Sequence, residues 1–120
     1  MEKYNKIVGA YGEEQACEFL KKNKYKIIEQ NYSCKFVEID IIAKYKNTLV
    51  FVEVKSRTNE KYGTPATAVN YYKKRNIIKT AQCYLMQKNF KNEFCRFDIV
   101  EVLFSNDDNN IRLIKNAFMM

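Results

Sequence analysis

Two neighbouring runs of this chain break their own hydrophobic pattern at the same place. From Thr48 to Val54 the residues are β-branched and aromatic, bounded by Lys46-Asn47 before and Ser56 to Glu60 after, which predicts a strand. Side chains alternate faces along a strand, so Leu49, Phe51, Glu53 and Lys55 share one face while Val50, Val52 and Val54 share the other. Both faces are apolar as far as Glu53, the pattern of a strand covered on each side. A carboxylate and an ammonium then stand where hydrophobes are due, and charges are rarely buried unless paired or bound. The preceding run, Val37 to Ala43, repeats the anomaly. Val37, Ile39, Ile41 and Ala43 fall on one face, and Glu38, Asp40 and Ile42 on the other. The short polar link from Lys44 to Thr48 predicts an antiparallel hairpin, which sets Asp40 near Glu53 with Lys55 two residues further on. A lone Glu-x-Lys is most simply a structural ion pair. The acid on the partner strand is what tips the balance towards a site.

The rest of the chain supplies covers for this hairpin. A helix is predicted from about Tyr4 to Asn23, with Ala10, Glu13, Ala16, Cys17 and Leu20 on one face and Glu14, Glu18 and Lys21 directed away. Glu13 is therefore an acid within an apolar stripe, either held by a structural partner or reaching the hairpin's site. Gly9 and Gly12 each lower helix propensity by up to about 1 kcal/mol and suit close approach to a sheet or a ligand. Tyr25 to Tyr32 reads as a first strand. Thr64 as N-cap and Pro65 at the first helical position open a second helix that runs to about Lys88. Its inward face carries Val69, Ile77, Ala81, Tyr84 and Leu85. Lys73, Lys74, Arg75 and Lys79 make its first half basic; Lys73 flanks the apolar stripe and Lys74 interrupts it. Phe94 to Phe104 is a further strand, Asn106 to Asn110 a turn, and Ile111 to Lys115 a last short strand. A strand–helix–strand crossover requires a parallel neighbour, so residues 1–120 are expected to form one α/β domain with a mixed sheet.

Composition narrows the chemistry. With 120 residues the chain builds one core and not two. It contains no histidine, which removes Ser-His and Cys-His nucleophiles, histidine bases and histidine metal ligands together. Cys17, Cys34, Cys83 and Cys95 have no C-x-x-C spacing and are expected to be ordinary buried thiols, neither zinc ligands nor disulfides. Any metal must then be held by oxygen, which points to Mg²⁺, Mn²⁺ or Ca²⁺. A formal charge of +7 favours a polyanionic partner. No run is long and apolar enough for a membrane span, and the first residues lack the apolar segment of a signal peptide, so a cytoplasmic location is expected.

Several short motifs lie in order along nearly the whole chain. They are G-x-x-G-E-x-x-A (Gly9 to Ala16), E-I-D-I-I-A (Glu38 to Ala43), F-V-E-V-K-x-R (Phe51 to Arg57), Y-G-x-P-x-x-A-V (Tyr62 to Val69), Lys73, R-F-D (Arg96 to Asp98) and N-A-F (Asn116 to Phe118). Together they resemble the bacterial UPF0102 (YraN-like) family. That family in turn resembles the PD-(D/E)XK nuclease superfamily, which includes archaeal Holliday-junction resolvases. The resemblance implies a restriction-endonuclease-like mixed sheet of element order αβββαββ. It places the signature Asp on Asp40, its acid on Glu53 and its lysine on Lys55, and the first-helix acid of resolvase-like members on Glu13. Two departures stand out: Val37 where the family has Gly before E-I-D, and no Pro before Asp40.

The implied activity is metal-dependent hydrolysis of DNA phosphodiesters, with branched or damaged structures as the candidate substrates. Asp40, Glu53 and Glu13 would hold Mg²⁺ or Mn²⁺, and Asp40, Glu53 and Lys55 would carry the chemistry. Lys55 would orient or deprotonate the attacking water, or stabilise charge in the transition state. Lys73, Lys74 and Arg57 are the candidate nucleic-acid contacts, with DNA favoured over RNA, no membrane partner, and a homodimer left open. The alternative is a non-catalytic nucleic-acid-binding or assembly module on the same scaffold. No role is assigned to Glu38.

Overall fold

A computed structural model describes residues 2–57, 71–89, 94–104 and 109–119 of the chain. The elements follow the expected order: α1 (Glu2–Lys22), β1 (Lys26–Tyr32), β2 (Ile39–Tyr45), β3 (Thr48–Arg57), α2 (Tyr71–Gln87), β4 (Phe94–Phe104) and β5 (Asn109–Phe118). The five strands form one sheet in the order β1-β2-β3-β4-β5. β3 and β4 are parallel and every other pair is antiparallel, so the sheet is mixed and α2 lies in the β3–β4 crossover. Among the described residues, no helix is long and apolar enough to cross a membrane.

Each face of the sheet is covered by one helix, which is why β3 is apolar on both sides. Ala16, Cys17 and Leu20 of α1 pack on Ile41, Ala43, Val50, Val52, Val100 and Val102. Ile77, Ala81 and Tyr84 of α2 pack on Ile42, Leu49, Phe51, Phe97 and Ile99. Ala10 is exposed, so the inward stripe of α1 does not begin there. Its close contact is Gly12, where a Cβ would overlap the Ser56 side chain of β3. In α2 the inward face includes a residue that hydropathy passes over. Thr80 is buried because its hydroxyl donates to Val37 O (2.7 Å) and shares Asn76 O (3.1 Å). The expected start of that helix at Thr64-Pro65, and Val69 with it, lie outside the described residues.

Three strand boundaries and one face assignment differ from the expectation, each for a hydrogen-bonding reason. β2 runs on to Tyr45 because Lys44 and Tyr45 still pair with Leu49 and Thr48, leaving only Lys46-Asn47 as the turn, with Lys46 at φ 54°. β3 continues to Arg57, since its parallel ladder with β4 extends to Arg57↔Leu103. β5 is longer than Ile111 to Lys115. It passes a bulge near Asn116 (φ 53°), whose N–H is taken by Asp98 Oδ1 at 2.9 Å, and reaches Phe97↔Phe118. Ile39 does not share the face of Ile41: it belongs to the α2-side core, because strict alternation fails at Asp40.

The cysteines also depart from expectation. Cys34 and Cys83 form a disulfide, with Cα atoms 6.8 Å apart, and among the described residues Cys17 and Cys95 remain thiols outside that bond. The two halves lie 49 residues apart. Local spacing therefore carries no sign of the bond, which ties the segment before β2 to α2.

Candidate active site

The antiparallel ladder between β2 and β3 ends at Ile41↔Val52. One step beyond, the Val54 N–H donates to Asp40 Oδ2 at 2.8 Å instead of to a backbone carbonyl. A side-chain carboxylate thus stands in for a ladder acceptor where the two strands give up their pairing. A cavity of about 340 Å³ opens there, lined by Gly9, Glu13, Asp40, Glu53, Val54, Lys55, Ser56 and Lys73. The cavity takes residues from both helices although these cover opposite faces of the sheet.

Asp40, Glu53, Lys55 and Glu13, singled out from the sequence, all line this one cavity. Lys73, expected as a nucleic-acid contact, joins them. Its Nζ lies 3.1 Å from Glu53 Oε1, closer than Lys55 Nζ at 3.9 Å. Lys74 faces elsewhere, with its Nζ 5.8 Å from the centre of the Phe118 ring in a separate cavity. Arg57 ends β3 opposite Leu103, and its side chain lies outside the described residues. The azimuth of Lys73 on α2 depends on how that helix docks, which hydropathy alone does not fix.

The electrostatics are those of crowded acids. The Glu53 side chain is only 8% exposed; its Oε1 faces the lysines, while its Oε2 is buried with no hydrogen-bond partner among the described residues. Burial, reinforced by the charge of Asp40, pushes the Glu53 carboxyl up to about 7 despite the attraction of Lys73. Burial also lifts Asp40 to about 6, against the lowering effect of the Val54 N–H and with the help of Glu13's charge. Glu13 is raised, again chiefly by burial. Lys55 is lowered by burial and by neighbouring Lys73. For Lys73 burial acts in the same downward sense, but its bonds to Lys55 and Glu53 and the charges of Glu53 and Asp40 outweigh it, leaving it raised. The two ends of the Lys73–Glu53 pair thus both move upwards: Lys73 gains from the pair, whereas desolvation dominates at Glu53.

Glu38 enters the picture through geometry. One oxygen each of Glu13, Glu38 and Asp40 lie within 4.8 Å of one another, a spacing that could hold a metal ion. With its amide nitrogen turned to the acids, Asn31 donates to Glu38 Oε1 (2.9 Å) and Glu13 Oε2 (3.1 Å). Asn31 has φ 54°, a left-handed conformation that Asn tolerates better than most residues. The close trio therefore differs from the set Asp40, Glu53 and Glu13 in including Glu38 and leaving out Glu53, whose Oε1 is turned to Lys73. The signal for Glu38 was its position two residues before Asp40. An all-carboxylate donor set with an unpartnered buried oxygen beside it suits a hard divalent cation such as Mg²⁺ or Mn²⁺.

The model of the uncharacterised protein family UPF0102 matches residues 12–102 of the chain. A UPF0102 protein of Clostridium botulinum (strain 657) is 47% identical over 119 residues, covering 97% of each chain. One from Caldanaerobacter subterraneus subsp. tengcongensis is 47% identical over 122 residues, covering 98% of this chain and all of its own. A third, from Clostridium tetani, is 45% identical over 122 residues and the full length of both. On a match of this breadth, the chain belongs to the UPF0102 family.

Proposed function

We propose that this protein is a divalent-metal-dependent nuclease that hydrolyses DNA phosphodiesters, with Asp40, Glu53 and Lys55 as its catalytic residues. The observation that carries the reading is Glu53. It is a buried carboxylate with one unpartnered oxygen, crowded by Asp40, at the point where β2 and β3 part. Glu13, Asp40 and Glu53, with Glu38 beside them, would hold Mg²⁺ or Mn²⁺. Such an ion, when bound, polarises phosphate oxygens and lowers the pKa of its water. Lys55, its ammonium destabilised by burial and by Lys73, is suited to take a proton from an attacking water or to donate one to a phosphate oxygen. Lys73 offers a second positive charge to the scissile phosphate. Val54, bonded to Asp40, fixes the orientation of that carboxylate. The chain's +7 charge supplies attraction to the polyanion independent of sequence.

A second reading has one observation in its favour. Lys73 already neutralises part of Glu53, as it would in a binding module that uses the fold without cutting. Incubating labelled single-stranded, duplex, flapped and four-way DNA with Mn²⁺ separates the two. The nuclease reading expects products that disappear with Asp40→Asn and with Glu53→Gln. Intact DNA across the panel, with binding retained, would leave the module.

A further inference from the structure

The start of α2 carries a second constellation that the acid cavity does not use. Tyr71, Lys74, Arg75 and Ile78 follow one stripe of the helix and line, with Phe118 and Met119, a separate cavity of about 330 Å³. Its floor is apolar and its rim basic, and among the described residues none that lines it is acidic. Tyr71 is 65% exposed and Tyr72 75% exposed, with their rings 5.5 Å apart and nearly perpendicular. Arg75 donates to the Tyr71 hydroxyl at 3.2 Å, which steadies that ring, and Lys74 lies over Phe118. Two adjacent exposed tyrosines on a helix with four cations and no acid are not explained by packing. Lys73 and Lys74 are consecutive, so the two cavities flank the same turn of α2.

From this juxtaposition we infer that the Tyr71–Tyr72 platform holds unpaired nucleotides of a nucleic acid whose scissile phosphate lies in the acid cavity, an inference that rests on the nuclease reading. Aromatic faces interleaved with basic side chains recognise single strands because every base has a π-face and every nucleotide a phosphate. A closed duplex presents its bases edge-on and offers the tyrosines nothing to stack upon. The substrate class is therefore DNA with an unpaired segment next to its duplex, such as a flap or a frayed junction. A second copy of this chain fits the patch less well. A two-fold contact would bring Lys74 and Arg75 of one copy against the same cations of the other.

The test is binding of the full chain, in EDTA, to a labelled single strand, a blunt duplex of the same sequence, and that duplex with an unpaired tail. Replacing Tyr71 and Tyr72 together with Ala is expected to weaken single-strand and tailed-duplex binding by about 5- to 150-fold per base unstacked, leaving the blunt duplex unchanged. The Tyr71→Phe/Tyr72→Phe variant should bind as wild type, because the stacking face remains. The slope of log affinity against log salt should be unaltered by the Tyr→Ala change, whereas Lys74→Ala with Arg75→Ala should lower it by about one per lost phosphate contact. Both tyrosines are exposed, so melts of the variants should match wild type. Equal losses on all three ligands, or no loss on the single strand, overturn the inference. So does a change from dimer to monomer on sedimentation, which would make the patch a contact between copies. Binding in EDTA and cutting in Mn²⁺ are separate readouts, so the two readings fail separately. Tyrosine-dependent binding without Mn²⁺-dependent cutting removes only the nuclease, and cutting without tyrosine dependence removes only the platform.

Discussion

Replacing Glu53 with Gln separates a site from a salt bridge. If Glu53 exists to pair with Lys73 and Lys55, removing its charge strands two cations and destabilises the fold. The structure points the other way. A carboxyl moved from 4.5 to about 7 is one whose charged form is worse off folded than unfolded. At about 1.36 kcal/mol per pH unit the cost is on the order of 3 kcal/mol at alkaline pH. Its sign against pH follows from linkage. The folded chain binds this proton more tightly, so the stabilisation is complete below about pH 4.5 and is lost as pH rises through 7. Gln keeps the shape without the charge, but its amide nitrogen faces lysines and recovers only part of the difference. The two lysine side chains are 21% and 35% exposed and can turn to water.

The expected outcome is that apo Glu53→Gln is more stable than wild type at pH 8 by about 1 to 3 kcal/mol, and that the gap closes towards pH 5. Urea melts in EDTA at the two pH values measure it. Added Mn²⁺ should raise the wild-type melting temperature in line with RT ln(1 + [L]/Kd) and raise the variant's much less. A variant less stable than wild type at pH 8, together with a wild type indifferent to Mn²⁺, would refute the reasoning and make Glu53 a structural partner of Lys73.

Other positions give independent checks. Asp98, fully buried, accepts two bonds from Arg96 (2.9 and 3.0 Å) and one from Asn116 N–H, so Asp98→Asn should cost about 3 to 5 kcal/mol in urea melts. The Arg112–Glu101 pair, with Arg112 57% exposed, should yield under about 1 kcal/mol to Arg112→Ala; a similar cost for both would mean burial is not the deciding factor. Gly12→Ala should lower the melting temperature, because its Cβ overlaps Ser56. Gly9→Ala, with nothing within 4 Å, should hold or raise it by the helix-propensity gain, and the reverse ranking would contradict the packing of α1 on β3. Protein prepared without reductant should show two titratable thiols after unfolding, and Cys34→Ser should lose about 2 to 4 kcal/mol relative to the oxidised form; four thiols would show that the bond does not form.

The element order was legible because the alternation in β2, β3 and β4 is strong and each strand is covered on both sides. The acids were legible for the same reason: Asp40 and Glu53 interrupt an apolar pattern that leaves few alternatives. What stayed hidden depends on tertiary register. Strict period two put Ile39 with Ile41, and it fails where Asp40 replaces a ladder carbonyl. Lys73 read as one of four cations on a helix, and only docking of α2 shows that it turns towards Glu53 while Lys74 turns towards Phe118. R-F-D and N-A-F stood as motifs without a role. In the fold they are two halves of one clamp, Arg96 and Asp98 holding the Asn116 bulge while the Phe118 ring stacks 4.8 Å from Phe97. Cys34 and Cys83 meet across 49 residues, a distance over which spacing rules are silent.

Function and fold are joined differently at the two strand acids. A sheet with a helix on each face keeps those helices apart, so Glu13 of α1 and Lys73 of α2 can share a cavity only where strands separate. β2 and β3 separate at Asp40, which bonds to Val54 N–H and leaves room on both sides of the chain. Asp40 is thus part of the opening as well as a candidate ligand within it. Removing it would leave an amide unpaired, so a loss of activity there mixes a backbone effect with a chemical one. Glu53 stands on a continuous parallel ladder with β4, opposite Ile99, and its side chain meets lysines rather than backbone. Its charge can be altered without disturbing the strand that carries it. Glu53, more than Asp40, is therefore the position at which the chemistry of this site can be read apart from its architecture.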